Sequence, residues 1–175
     1  MEVDLAGDSL RNAAQRIREA DALLIFSGAG MGVDSGLGTY RGVNAGNFGM
    51  DYEEICQPKW FHSDPDLAWG FWSRCYQVYS TSTPHAGYDL LLSWGKRAGL
   101  GFFVVTSNVD GHWIRSGVGA DRIWEVHGSV MHHQPLEKAA GGLSIGAEVW
   151  ETDPNAMGAM QLPPWELRAG QVVDV

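Results

Sequence analysis

Cysteine is scarce in this chain of 175 residues, which contains only Cys56 and Cys75. Two cysteines are too few for a disulfide framework or for a four-cysteine zinc site. Basic residues are also few, since 12 lysines and arginines oppose 21 acidic residues for a net charge of −9. This charge argues against nucleic acid or an anionic membrane as the main partner. No apolar run approaches the ~18 residues of a membrane span, and residues 1–8 lack the apolar core of a signal peptide. These absences predict a soluble, cytoplasmic protein of a reducing compartment.

Glycine, in contrast, is abundant, with 23 of 175 residues, or about 13% against a usual ~7%. The glycines follow no fixed period, which excludes a collagen-like chain. Their number indicates loops with unusual backbone angles. The chain length suits one ordinary domain.

Three short apolar runs predict the strands of a sheet, at residues 22–26, 102–106 and 123–126. Continuous apolar runs next to glycine are typical of strands buried on both faces of a parallel sheet. Helical patterns lie between the runs, which indicates right-handed crossovers. The predicted fold class is therefore α/β, with a parallel sheet.

Three helices are predicted from capping residues and apolar spacing. Asp8 or Ser9 is expected to cap the first helix, and the Asp64-Pro65 pair is expected to open the second. The third covers residues 84–94 and ends at Gly95. From about Pro135 onward, repeated glycine and proline pairs leave no predicted element.

Polar residues follow each predicted strand, and ligands of parallel sheets bind beyond the carboxyl ends of the strands. The first strand runs into a glycine-rich stretch that suits a pyrophosphate, although Val33 replaces the third glycine of the dinucleotide fingerprint. The second is followed by Asn108 and Asp110, and the third by His127, which can act as a base. Each feature alone has a plainer alternative, namely a ligand-free turn, a helix cap or a structural histidine. Their coincidence at three strand ends favours a ligand site.

The same segments resemble the signature motifs of the sirtuin family. Residues 28–30, 35–37 and 40–42 are similar to the first signature, residues 106–110 to the Thr-Gln-Asn-Ile-Asp segment, and residues 125–129 to the His-Gly segment. Order and spacing agree with the family. The resemblance implies an incomplete Rossmann-like sheet with a helical small-domain insertion.

Sirtuins cleave nicotinamide from NAD and transfer ADP-ribose to an acyl-lysine, so the resemblance implies NAD as co-substrate and an acyl-lysine protein as partner. It implies catalytic roles for His127, as the general base on a ribose hydroxyl, and for Asn108, beside the nicotinamide ribose. Tyr40 and Arg41 are implied to belong to a loop that covers the ribose, and Asp110 to bind the carboxamide. The full set of implied cofactor-binding residues is Gly28, Ala29, Gly30, Gly32, Ser35, Thr39, Tyr40, Arg41, Ser107, Asn108, Val109 and Asp110.

The chain also departs from the sirtuin pattern. Gly32 stands where the family usually has serine, and Ser107 replaces the glutamine of the second motif. No cysteine follows His127, so the zinc module is absent and no metal is expected. The adjacent His132 and His133 are not expected to bind one either, because neighbouring side chains on a strand point to opposite faces.

Only 46 residues follow Ser129, whereas sirtuins continue through a metal module and further strands. We expect residues 1–135 to form the NAD-binding region, with the helical insertion at about 45–80, and residues 136–175 to form an irregular tail. The resulting hypothesis is a truncated or frame-altered sirtuin, or one that needs a partner chain to cover an open sheet edge.

The leading hypothesis for function is therefore an NAD-consuming enzyme of the sirtuin type, a protein-lysine deacylase. The alternatives are an ADP-ribosyltransferase, an NAD glycohydrolase and a non-catalytic nucleotide-binding remnant. The aromatic residues between positions 60 and 72 are expected to be core rather than the wall of an acyl or peptide channel.

Overall fold

The computed structural model describes residues 5–39, 52–133 and 150–154. None of the described helices has both the length and the apolar character needed to cross a bilayer. The α-helices are α1 (Leu5–Glu19), α2 (Tyr52–Ile55), α3 (Trp60–Ser63), α4 (Pro65–Thr81), α5 (Ala86–Gly95) and α6 (His112–Arg115). The strands are β1 (Leu23–Ser27), β2 (Phe102–Thr106), β3 (Ile123–Glu125), β4 (His132–His133) and β5 (Trp150–Glu151), and two 3₁₀ helices cover Ala29–Ser35 and Ala120–Arg122.

The first three strands form one parallel sheet in the order β1-β2-β3. In the register, Ile25 of β1 lies beside Val104 of β2, which lies beside Ile123 of β3. The three apolar runs of the sequence are these three strands, so the predicted parallel α/β sheet is confirmed. A separate antiparallel pair joins β4 to β5 through His133 and Trp150, and the sequence did not indicate β5.

The core packs on one face of this sheet, against α5 and α6. Its centre is aromatic, because the rings of Tyr88 and Trp113 meet edge to face with their centroids 4.7 Å apart. Both side chains are almost fully buried, at 0% and 1% exposure. The cluster of buried residues comprises Ile25, Tyr88, Leu92, Val104, Trp113 and Val118.

The other face of the sheet carries exposed apolar side chains on all three strands, which corrects the expectation that the strands are buried on both faces. Leu24 and Phe26 of β1 are 59% and 71% exposed, Phe103 of β2 is 37% exposed, and Trp124 of β3 is 61% exposed. These four residues alternate with the core residues along each strand, and together they form the outer face of the sheet. A continuous apolar run predicts that both faces of the strand are covered, but it does not identify the segment or chain that covers them.

The helix boundaries confirm the predicted start of a helix at Asp64-Pro65 and correct the cap predicted at Asp8 or Ser9. Helix α4 begins at Pro65, and the Asp64 carboxylate accepts a hydrogen bond from the Leu67 N–H at 3.1 Å. Helix α1 begins at Leu5 rather than at a cap on Asp8, which instead lies in the first turn. An acidic side chain is favourable there as well, because the positive end of the helix dipole extends over the first turn.

The junction of α5 with β2 leads to a prediction about stability. A Cβ atom at Gly95 would lie 2.6 Å from Phe102 Cγ and 2.7 Å from Phe102 Cβ. We expect Gly95→Ala to destabilise the protein by about 1–3 kcal/mol, because the helix end must move away from the strand. Thermal unfolding checks this, with Gly99→Ala as the matched control, since nothing lies within 4 Å of a Cβ atom at Gly99. Equal midpoints for the two variants would contradict the prediction.

Candidate active site

The glycine-rich stretch leaves β1 through Gly28, whose extended backbone precedes the 3₁₀ helix Ala29–Ser35. Gly30 is exposed, and nothing lies within 4 Å of a Cβ atom added there. Gly32 is buried, and a Cβ atom there would lie 3.1 Å from Leu37 Cβ. The segment therefore presents an open backbone surface around Gly30 while Gly32 permits close packing beneath it.

The loop after β2 carries two buried polar side chains, Asn108 and Asp110, each 6% exposed. The Asn108 side-chain N–H donates to the Gly28 carbonyl at 2.9 Å, and the Ser107 N–H donates to the Ser27 carbonyl at 3.1 Å. These two bonds join the loop after β2 to the loop after β1. The Asp110 carboxylate accepts the N–H of His112 at 2.9 Å and so caps the start of α6.

The turn after β3 places His127 at the molecular surface, where its side chain is exposed. The Gly128 N–H donates to the Glu125 carbonyl at 3.0 Å, and Gly128 has a φ of +79°, a left-handed angle that favours glycine. Backbone bonds on both sides of His127 hold the turn to the end of β2 and to the loop after it: Val126 N–H donates to the Thr106 carbonyl and Val130 N–H to the Val109 carbonyl, each at 3.0 Å.

The structure thus brings the three predicted strand ends to one edge of the sheet, where direct hydrogen bonds link each loop to the next. Some of the sequence-predicted residues stand apart from this arrangement. The Ser35 hydroxyl accepts the His85 N–H at 2.9 Å and so holds the start of α5. Thr39 is half-buried at the end of the first described range, and Tyr40 and Arg41 lie outside the described residues.

Two carboxylates dominate the electrostatics of this edge. Burial raises the pKa of Glu125, and the Asp110 carboxylate raises it further, while a hydrogen bond with Ser129 opposes both effects. The Asp110 charge also acts on Tyr88, whose pKa is raised first by burial and then by that charge. The Asp110 charge therefore acts on both the Glu125 carboxyl group and the Tyr88 hydroxyl.

The raised pKa of Glu125 predicts how stability depends on pH. A carboxyl group whose pKa is higher in the folded state than its ordinary 4.5 makes the protein lose stability as pH rises from 4.5 through the folded value. We expect Glu125→Gln to remove this loss and to raise the unfolding free energy at pH 7. Denaturant titrations between pH 4 and 8 measure it, with the exposed Glu53→Gln as control. The same pH slope in wild type and Glu125→Gln would contradict it.

Two histidines that the sequence did not single out hold this edge together. His85 Nδ1 accepts the Gly87 N–H at 3.0 Å, so Nε2 carries the proton and donates to the Met31 carbonyl at 2.9 Å. His112 is fully buried, with Nε2 2.7 Å from the Ser82 hydroxyl, and burial lowers its pKa. His85 could have been noticed because it follows Pro84 at the predicted start of α5, whereas nothing in the sequence distinguished His112.

The two cysteines belong to the helical segment and not to the strand ends. Both are free and half-buried, and burial raises the pKa of Cys56 to about 11 and that of Cys75 to about 12. Hydrogen bonds link Cys56 to Tyr52 and Cys75 to Tyr79. Thiols with such pKa values stay protonated at neutral pH and are poor nucleophiles.

The aromatic residues of the helical segment pack on one another. Phe71 is 2% exposed and meets Trp72 edge to face, as Phe61 meets Trp69. The expectation that the aromatics are core therefore holds for Phe71, whereas the other four aromatic residues between positions 60 and 72 are half-buried. Trp69 also meets the ring of His133 edge to face at 5.6 Å. Within residues 5–39, 52–133 and 150–154, no group of three or more histidine, cysteine, aspartate or glutamate side chains is placed to hold a metal ion.

A parallel sheet with a glycine-rich first loop and polar loops meeting at its carboxyl edge defines a Rossmann-like α/β protein. Residues 28–140 match the model of the Sir2 family. The chain therefore belongs to the Sir2 family, as its motifs indicated.

Curated relatives agree with this assignment. An NAD-dependent protein deacylase of Deinococcus radiodurans is 31% identical over 125 residues, covering 70% of this chain and 51% of the relative. NAD-dependent protein deacylase 2 of Pseudomonas aeruginosa is 28% identical over 141 residues, covering 77% of this chain and 55% of the relative. The chain thus spans about half the length of the curated relatives that it matches.

Solved structures show the same fold. A Sir2 homologue in complex with NAD superposes with a TM-score of 0.66 at 22% identity, covering 88% of this chain and 54% of that one. A mutant Sir2 homologue in complex with 2′-O-acetyl-ADP-ribose gives a TM-score of 0.67 at 23% identity, covering 87% and 55%. The structure is therefore a partial Rossmann-like sheet of the Sir2 type.

Proposed function

We propose that the chain is an NAD-consuming protein-lysine deacylase that releases nicotinamide and transfers ADP-ribose to the acyl oxygen of an acyl-lysine. The observation that carries this proposal is the hydrogen-bonded convergence of the loops after β1, β2 and β3, above all the bond from Asn108 to Gly28. The relatives named NAD-dependent protein deacylases support the same activity.

In this proposal NAD lies across the carboxyl edge of the sheet. Its pyrophosphate lies against Gly28, Ala29 and Gly30, where the exposed backbone around Gly30 leaves room for it. Asn108 lies beside the nicotinamide ribose and Asp110 binds the carboxamide. Both side chains are buried, so they meet the cofactor without competing water.

His127 is the proposed general base, which removes a proton from a ribose hydroxyl once the nicotinamide has left. Its exposed position keeps the imidazole accessible to the ribose, while the backbone hydrogen bonds on either side of His127 fix the turn. Tyr40 and Arg41 belong to the proposed covering loop, along with Thr39. Departure of nicotinamide builds positive charge on the ribose, which the carboxylates of Asp110 and Glu125 stabilise electrostatically.

The test is product analysis. The purified chain is incubated with NAD and an acetyl-lysine peptide, and the products are identified by mass spectrometry. Deacylation yields nicotinamide, free lysine peptide and O-acetyl-ADP-ribose in equal amounts. Modified protein without deacylated peptide reassigns the chain as an ADP-ribosyltransferase, free ADP-ribose alone as an NAD glycohydrolase, and no nicotinamide release as a non-catalytic nucleotide-binding remnant.

We also propose that a partner chain covers the sheet. The outer face supports this, because four large apolar side chains stand exposed on adjacent strands and soluble proteins rarely leave such a patch uncovered. Within this proposal residues 1–135 are the NAD-binding region, with its helical insertion at about 45–80, and residues 136–175 are the tail. A cytoplasmic setting suits the two free cysteines.

Two measurements test the partner proposal. The purified chain is expected to self-associate or to bind the dye ANS, and Phe26→Thr with Trp124→Thr is expected to reduce either signal, because threonine suits a strand but not an apolar contact. Isothermal titration with NAD then asks whether the isolated monomer is complete. Tight NAD binding by a monomer that binds no ANS would contradict the need for a partner.

A further inference from the structure

A chain of hydrogen bonds leads from the aromatic core to the backbone of Asn108. The Trp113 indole N–H donates to the Ser27 hydroxyl at 2.8 Å, and the Ser27 hydroxyl donates to the Thr106 hydroxyl at 2.9 Å. The Thr106 oxygen in turn accepts the Asn108 N–H at 3.1 Å. Four residues from β1, β2, α6 and the loop after β2 are thereby connected.

The direction of the first bond in this chain is fixed, because an indole N–H donates and cannot accept a hydrogen bond. With the indole N–H directed at its oxygen, the Ser27 hydroxyl sends its own hydrogen to Thr106. The Thr106 hydrogen is directed at the Ser27 carbonyl, 3.4 Å away, which leaves a lone pair for the Asn108 N–H. A phenylalanine at position 113 would keep an aromatic ring in the core but could not donate a hydrogen bond to Ser27.

The chain is shielded from water along most of its length. Trp113, Thr106 and Asn108 are 1%, 2% and 6% exposed. Buried hydrogen bonds are electrostatically stronger than exposed ones, and a partner left without its bond has no water to replace it. The backbone N–H of Asn108 therefore has one defined hydrogen-bond acceptor, the Thr106 hydroxyl oxygen.

The side chain of Asn108 is fixed as well. Its Nδ2 donates to the Gly28 carbonyl at 2.9 Å, and since only the nitrogen of an amide can donate, this bond also settles which way the amide is turned. The Oδ1 atom is directed away from Gly28. The backbone of Asn108 is thus held by the end of β2, and its side chain by the loop after β1.

We propose that Thr106 and Trp113 are positioning residues that act on Asn108, presenting its amide to the nicotinamide ribose in one orientation. The inference rests on the proposed function, in which Asn108 meets that ribose. Neither residue touches the ribose itself. Their effect is on the geometry of the reacting complex, so it falls on turnover more than on NAD affinity.

The test compares Thr106→Val, which keeps the shape and deletes the hydroxyl, with Thr106→Ser, which keeps the hydroxyl. In the deacylation assay we expect Thr106→Val to lower kcat by about 10- to 100-fold and to leave the KM for NAD within about twofold, because the affinity contacts remain. Thr106→Ser is expected to stay close to wild type. Trp113→Phe, which keeps an aromatic ring in the core, is expected to change kcat in the same direction as Thr106→Val.

Hydrogen exchange of the Asn108 backbone amide, followed by NMR, provides a readout that needs no activity. Thr106→Val is expected to accelerate this exchange by at least tenfold, as a lost buried bond of about 1.4 kcal/mol implies, and Thr106→Ser to preserve protection. If wild type is inactive but exchange follows this pattern, the proposed function fails and the hydrogen-bond chain stands. If wild type is active and folded Thr106→Val keeps its kcat and its Asn108 protection, the inference is overturned.

Discussion

Replacing His127 by alanine is expected to lower the rate of peptide deacylation by about 10²–10⁴-fold, the usual contribution of a general base. The imidazole lies on a turn that two backbone bonds tie to the end of β2 and to the loop carrying Asn108. Removing it leaves the ribose hydroxyl without a base while the backbone of the turn, set by Gly128, is unchanged. Deacylated peptide is measured by mass spectrometry at saturating NAD, and NAD affinity is expected to stay within a fewfold of wild type.

The matched control for this prediction is His62→Ala. His62 is an exposed histidine of α3, so its replacement also removes one surface imidazole and leaves the strand ends unchanged. We expect its rate to equal that of wild type. Equal rates for His127→Ala and wild type would exclude His127 as the base and transfer that role to another group.

The second large effect concerns stability, because Tyr88→Ala removes the centre of the core. The Tyr88 ring is fully buried and meets the rings of Trp113, His85 and His112 at centroid distances of 4.7, 5.0 and 5.6 Å. Truncating a buried aromatic residue costs about 3–5 kcal/mol. For a protein of this size, that corresponds to a fall in Tm of roughly 6–20 °C. Thermal unfolding followed by circular dichroism measures it.

Tyr88→Phe is the informative counterpart of this variant. Within the described part of the chain, the buried Tyr88 hydroxyl has no hydrogen-bond partner. An unsatisfied buried polar group costs about 1–3 kcal/mol, so we expect Tyr88→Phe to unfold at the same or a higher temperature than wild type. A clear fall in Tm for Tyr88→Phe would show that the hydroxyl has a partner and would contradict this account.

The sheet could be predicted from the sequence because its signal is local. Each of the three strands is a continuous apolar run next to glycine or small polar residues, and the start of α4 carries its own capping residue, Asp64. The convergence of Gly28, Asn108 and the turn of His127 followed from topology, since the carboxyl ends of parallel strands share one edge. To predict that part of the candidate site, it was enough to know that the strands run parallel.

The outer face and the hydrogen-bond chain were beyond prediction for a different reason. Phe26 and Ile25 look equally apolar in the sequence, and only the packing of α5 on one side of the sheet decides which is buried. Likewise Ser27 and Thr106 end their strands as ordinary polar residues. The bond from Trp113 to Ser27 depends on where α6 lies, which is set by tertiary packing and has no local sequence signal.

The parallel pairing of β1 with β2 has a consequence for the order of events as the chain folds. Leu23 pairs with Phe102, and a separation of 79 residues must be closed before the first strand pair can form. Such distant pairing slows folding, and during synthesis β1 waits until β2 has left the ribosome. The closure entropy grows only with the logarithm of that separation, so ten extra residues between the two strands add only ~0.1 kcal/mol. The connection between β1 and β2, which carries α2 to α5, is therefore a region in which evolution can change length at almost no thermodynamic cost.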